Sequence, residues 1–96
     1  MKFYEHEDFK LLVKAIVSIE SEEECISFLD DIMTKKEMAD IAQRLMVAKL
    51  LSEQTVYNKI VEQTGASTAT ISRVNRAYSY GSGGYANMLE KLKGED

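Results

Sequence analysis

No proline interrupts the 96-residue chain, and it holds one cysteine and one histidine. Without proline, no position is barred from helix. Cys25 alone cannot close an internal disulfide, and with His6 as the only other soft ligand no zinc-binding spacing exists. Neither a metal nor another cofactor is expected. Apolar runs fall well short of the ~20 residues that cross a bilayer. Glu5, Glu7 and Asp8 near the start replace the basic beginning of a secretory signal, so the expected compartment is the cytoplasm, with no membrane partner. Paired carboxylates, a nucleophile with its base and a phosphate-binding glycine loop are all lacking, and an enzyme is not expected.

What remains is an ordinary globular composition, 45% hydrophobic and 29% charged. The length suits one domain over residues 1–96 and not two independently stable ones. A net charge of −4 argues at first against nucleic acid as a partner, because phosphate neutralisation dominates such affinities. The sign is unevenly distributed, however. Residues 1–33 carry three bases against nine acids, whereas between 54 and 82 the charges are Lys59, Arg73 and Arg76 against Glu62.

Strand-like alternation and internal repeats are absent, and helical spacing recurs throughout, giving six predicted helices. The first covers about 8–19, with Phe9, Leu12, Val13, Ile16 and Val17 on one stripe. A second opens at a capping box of Ser21 and Glu24 and carries Cys25, Ile26, Leu29, Ile32 and Met33 inward. Thr34 and Glu37 form another box before a third helix over about 35–52. There Met38, Ile41, Ala42, Leu45, Met46, Val47, Leu50 and Leu51 cover most of the circumference. One small subunit holds too little material to surround such a helix, so part of it, and part of the first helix, is expected in a homodimer interface. The alternative is the central helix of a monomer. Two short helices at about 55–63 and 68–78 follow, then a loop with Gly81, Gly83 and Gly84, and a last helix over about 85–93 turning Tyr85, Met88, Leu89 and Leu92 to the core.

The two short helices, within about 55–78, meet the requirements of a helix-turn-helix. Gly65 stands where the first must end with positive φ, and Ser67 caps the second. Ile60, Val61, Ile71 and Val74 are the apolar residues that would hold the pair at a fixed angle. Outward lie Thr68, Ala69, Thr70 and Ser72, whose short hydroxyl and methyl groups let a helix approach base edges in the major groove of double-stranded DNA. Tyr57, Asn58 and Lys59 on the preceding helix, with Arg76, would add base or phosphate contacts. A helical hairpin turning a corner with the same caps would not account for the small polar row or the local positive charge.

Residues 34–44, running from Thr34 through Glu37 to Arg44, and residues 65–73, from Gly65 through Ser67 and Thr70 to Arg73, resemble the tryptophan repressor family. The likeness is greater to its branch of tryptophan-repressor-like proteins without an assigned ligand. It covers about 29–77, and the second stretch is the more specific. The resemblance implies an all-α, six-helix fold with intertwined subunits, a helix-turn-helix, and repression through a palindromic operator. It also implies an effector pocket. Two family arginines that sandwich the corepressor's indole match Arg44 and Arg73, and Thr34 belongs to the same matched stretch. A glycine beside the second arginine is Val74 here, and a serine that holds the ligand's amino group is Ala77. Arg44 and Arg73 would serve either a small anionic or amino-acid effector, or salt bridges and phosphate contacts; tryptophan itself is not the expected effector.

Other features have plainer explanations. His6 sits among acids near the start, Cys25 occupies a core-facing helical position, and Glu22, Glu23 and Glu24 favour the dipole of a first helical turn. Tyr78, Tyr80 and Tyr85 are expected to anchor the glycine loop. The competing functional class is a helical protein-interaction module without specific DNA binding.

Overall fold

A computed structural model describes residues 2–94 and contains helices only, with no strand among the described residues. The helices are α1 (Lys2–Glu5), α2 (Glu7–Val17), α3 (Glu22–Ile32), α4 (Lys35–Ser52), α5 (Tyr57–Thr64), α6 (Thr68–Tyr80) and α7 (Gly84–Lys93). The all-helical expectation holds, with one helix more than the six predicted. The addition, α1, packs on α2 through Phe3, Tyr4 and Phe9, whose ring centroids lie 5.1–5.3 Å apart. Its single turn carries no periodic apolar signal, which is why sequence spacing passed over it. The expectation of one domain over 1–96 includes Met1, Glu95 and Asp96, which lie outside the described residues.

The chain divides into two compact units, one up to Lys35 and one from Lys36 onward. In the first, Ser21 caps α3 by accepting from the amide of Glu24 at 3.1 Å. The Glu24 carboxylate accepts from the amide of Glu20 at 2.7 Å. The box therefore closes one residue before the cap instead of on it. No described residue of this unit is buried. Phe9, Leu12, Cys25, Phe28 and Leu29 are half-covered, while Leu11, Val17 and Ile26 are 69%, 78% and 64% exposed.

Among the described residues, those that are buried belong to the second unit: Val47, Ala48 and Leu50 of α4, Ile60 of α5, Ala66 in the turn, Ile71 and Val74 of α6, and Leu89 of α7. Leu51, Tyr78 and Tyr85 pack against them. Val47, Ile60 and Ile71 are fully covered, each contributing roughly 1.5–3 kcal/mol of apolar burial. Two expectations change here. Met88 and Leu92 of α7 are 49% and 44% exposed, so Leu89 and Tyr85 are the residues of that helix that meet the core. Tyr78 and Tyr85 anchor the glycine loop, but Tyr80 is 87% exposed and anchors nothing.

The third predicted helix coincides with α4, yet its apolar girdle is only partly covered. Ile41 and Met46 are 50% and 48% exposed, and Leu45 lies open beside them. At its end the amide of Thr55 bonds to the Leu50 carbonyl at 3.0 Å, and that of Gln54 to Leu51 at 2.9 Å. This is a Schellman closure. Gln54 stands at its left-handed position with φ 63°, where glycine is usual.

Candidate nucleic-acid interface

Helix α5 stops because Gly65 turns left-handed, φ 73° and ψ 5°, while its amide closes on the Val61 carbonyl at 2.9 Å. Nothing lies within 4 Å of where a Cβ would stand, so the backbone torsion alone makes glycine the fitting residue. Thr64 organises the turn from inside: its hydroxyl donates to the Ile60 carbonyl at 2.7 Å and accepts from the Ala66 amide at 3.0 Å. Ser67, in extended conformation, accepts from the Thr70 amide at 3.1 Å and starts α6. Ile60, Ile71 and Val74 lock the two helices as expected, whereas Val61 is more than a third exposed. Buried Ala66 takes part in its place, and its short methyl left no periodic signal because it sits between helices.

The predicted contact residues divide by exposure. Tyr57, Asn58 and Lys59 are exposed on the first turn of α5, where Val56 supplies no side-chain cap. Lys59 lies 4.0 Å from Glu62 in an open pair that leaves its ammonium accessible. On α6, Thr68, Ala69 and Ser72 face outward, with Arg73 and Arg76 further along. Thr70 differs from its expected place among them. It is half-buried, and its hydroxyl accepts from Ser67 Oγ at 3.1 Å, so it belongs to the cap. Among the described residues, Arg44, Arg73 and Arg76 enter no ion pair. From 36 to 94 eight bases face five acids, so this unit is net positive within an acidic chain.

The predicted effector residues are only partly brought together. Arg44 and Arg73 line one cleft of about 170 Å³ with Asp40, Gln43, Thr70 and Val74. That is below the ~300–1,000 Å³ of ordinary ligand sites. Val74 is at once a cleft wall and a core residue. Ala77 lines a different groove, with Leu45, Tyr85 and Met88, and Thr34 lies in the other unit. Asp40 is held by Lys36 at 3.0 Å.

Sequence spacing does not point to Gln43. Its side-chain amide donates to the Thr64 carbonyl at 3.0 Å, across 21 residues of sequence. No local pattern signals a bond of that span.

Among the described residues no group of histidine, cysteine, aspartate and glutamate is placed to hold a metal ion, and no helix is long and apolar enough to cross a membrane. Comparison with known proteins agrees with the geometry. The uncharacterized protein YerC of Bacillus subtilis (strain 168) is 48% identical over 82 residues, spanning 85% of this chain and 79% of that protein. A crystal structure of a TrpR like protein from Eubacterium eligens ATCC 27750 superposes with a TM-score of 0.93 at 41% identity, over 97% of this chain and 96% of the other. A putative Trp repressor from Staphylococcus aureus does so at 0.88 and 39%, over 92% and 88%. The family model for the Trp repressor protein matches residues 7–93, and the chain belongs to that family.

Proposed function

We propose that this chain is a cytoplasmic transcriptional repressor that binds a palindromic operator in double-stranded DNA as a homodimer. The observation that carries this reading is the turn at Gly65 and Ser67, which starts α6 with Thr68, Ala69 and Ser72 outward and unpaired arginines behind them. Family membership supports it. Thr68, Ala69 and Ser72 read base edges; Tyr57, Asn58, Lys59 and Arg76 hold phosphates or flanking bases. Thr70 assists by fixing the first turn of α6. Homodimerisation is supported by the apolar side chains that α2, α3 and α4 leave uncovered. In a dimer the two copies of α6 would enter successive major grooves about 34 Å apart.

The Arg44–Arg73 cleft is small and walled by a core valine, which favours DNA binding with no effector over binding of tryptophan. A small anion remains the chemistry its arginines would accept.

Selection of bound fragments from random duplexes at physiological salt tests the reading. A palindromic consensus should emerge, and log affinity should fall with log salt by about 0.9 per phosphate neutralised. Failure to enrich any sequence, with binding indifferent to salt, would leave the protein-interaction module as the better account.

A further inference from the structure

We propose that Gln43 is a specificity-determining positioning residue: its amide ties the turn between α5 and α6 to α4 and so sets where Thr68, Ala69 and Ser72 meet the bases. This rests on the DNA-reading function proposed above. The carbonyl of Thr64 is one of those a helix C-terminus leaves without an intrahelical partner. Val61 is closed by Gly65 and Ile60 by the Thr64 hydroxyl, but the Thr64 carbonyl is met from outside, by Gln43 Nε2 at 3.0 Å. Since a carbonyl only accepts, the interaction requires a donor at position 43.

The turn needs such a tether. Gly65 is its hinge, and no side chain there limits its torsions, while the space around its Cα is open. Ile71 and Val74 hold α6 further along, but on the turn itself two external restraints act: the Ala66 methyl buried in the core, and the Gln43 bond. The first is a short, non-directional apolar contact. The second is directional and acts three residues before Ser67, the cap from which α6 begins. A change of angle at Thr64 is carried into the first turn of α6, ahead of the point where Ile71 and Val74 hold the helix, whereas base-edge hydrogen bonds tolerate only a few tenths of an ångström. Phosphate contacts made by long lysine and arginine side chains adapt to such a shift. Loss of the tether should therefore erode sequence discrimination before it erodes affinity for DNA as such.

Three variants and two readouts test this. Gln43→Met keeps an unbranched side chain of similar length without a donor; Gln43→Glu keeps the shape and polarity but presents an acceptor to an acceptor. Gln63→Glu, an exposed position on α5, controls for added negative charge. The ratio of affinity for the selected operator to affinity for random duplex is measured for each, together with amide hydrogen exchange of Gly65 and Ala66 in the free protein. Gln43→Met should lower the ratio about two- to twelvefold, the range of one net hydrogen bond. Gln43→Glu should lower it further, Gln63→Glu should leave it unchanged, and turn amides should exchange faster in both Gln43 variants.

The opposite order, with Gln43→Glu better than Gln43→Met, would mean that shape and not donation matters, and would overturn the proposal. So would a Gln43→Met protein with the original ratio and exchange, or one that fails to fold, since the residue would then serve stability. If the unaltered protein selects no sequence, the functional reading fails, while the exchange measurement still judges the tether.

Discussion

Two residues share one backbone conformation for different reasons. Gly65 and Gln54 both have positive φ, 73° and 63°, but only Gly65 is the residue type that adopts it without strain. Forcing a side chain into the left-handed region costs about 1–2 kcal/mol. Gly65→Ala should therefore destabilise the protein by about that much in chemical denaturation, from torsion alone, because a Cβ there meets nothing. Gln54→Gly should do the reverse and stabilise by ~0.5–1 kcal/mol, the torsional gain less the added freedom of glycine in the unfolded chain. Opposite signs at the two positions are the diagnostic result. Val74 and Ala77 carry another residue-scale expectation. Val74 walls the Arg44–Arg73 cleft and is itself a core residue, so an indole there would have to displace packed core, and Ala77, which offers no hydroxyl to an ammonium, lines a separate groove. Titration calorimetry with L-tryptophan should show no submillimolar binding; tight binding that also strengthens operator affinity tenfold would sink the effector-free account.

At the scale of elements, the proposed function assigns phosphates to α5 and bases to α6. Lys59 is exposed and only loosely paired with Glu62, so its ammonium is free to meet a phosphate. Lys59→Ala should weaken binding to all sequences alike and flatten the salt dependence by about 0.9. Thr68 is exposed at the start of α6 and holds no partner in the cap. Thr68→Ala should change preference at particular base pairs by ~1–3 kcal/mol and leave the salt slope alone. Thr70 is less informative, since its hydroxyl lies 3.1 Å from Ser67 Oγ and its loss would disturb the cap as well. Should Lys59→Ala and Thr68→Ala act alike, the assignment of the reading helix is wrong.

For the whole molecule, the decisive feature is apolar surface left open. Val17 on α2 and Met46 on α4 are exposed at 78% and 48%. Substitutions at ordinary exposed positions stay within about ±0.5 kcal/mol, whereas a charge placed in a subunit interface must be desolvated there. Sedimentation at micromolar concentration should give twice the chain mass, and Val17→Lys or Met46→Lys should lower it toward the monomer. An unaltered protein that sediments as a monomer would remove the interlocked arrangement.

Local chemistry was legible from the chain alone because its partners lie three or four residues apart. Ser21 and Ser67 as caps, Gly65 as the left-handed stop and the bounds of α4 all appear where spacing puts them. Such choices are made by hydrogen bonds within one turn of helix, which any tertiary context leaves intact. Other features needed three-dimensional closure. Periodicity shows that α4 is apolar almost all round, but not that its own chain covers Val47, Ala48 and Leu50 while leaving Ile41 and Met46 open. The separation of Ala77 from the Arg44–Arg73 cleft, the diversion of Thr70 into the cap, and the bond from Gln43 to Thr64 depend on which side chains meet once helices pack. A bond across 21 residues has no spacing to reveal it. Helix angle and depth of packing decide it, and those are settled by the whole core at once.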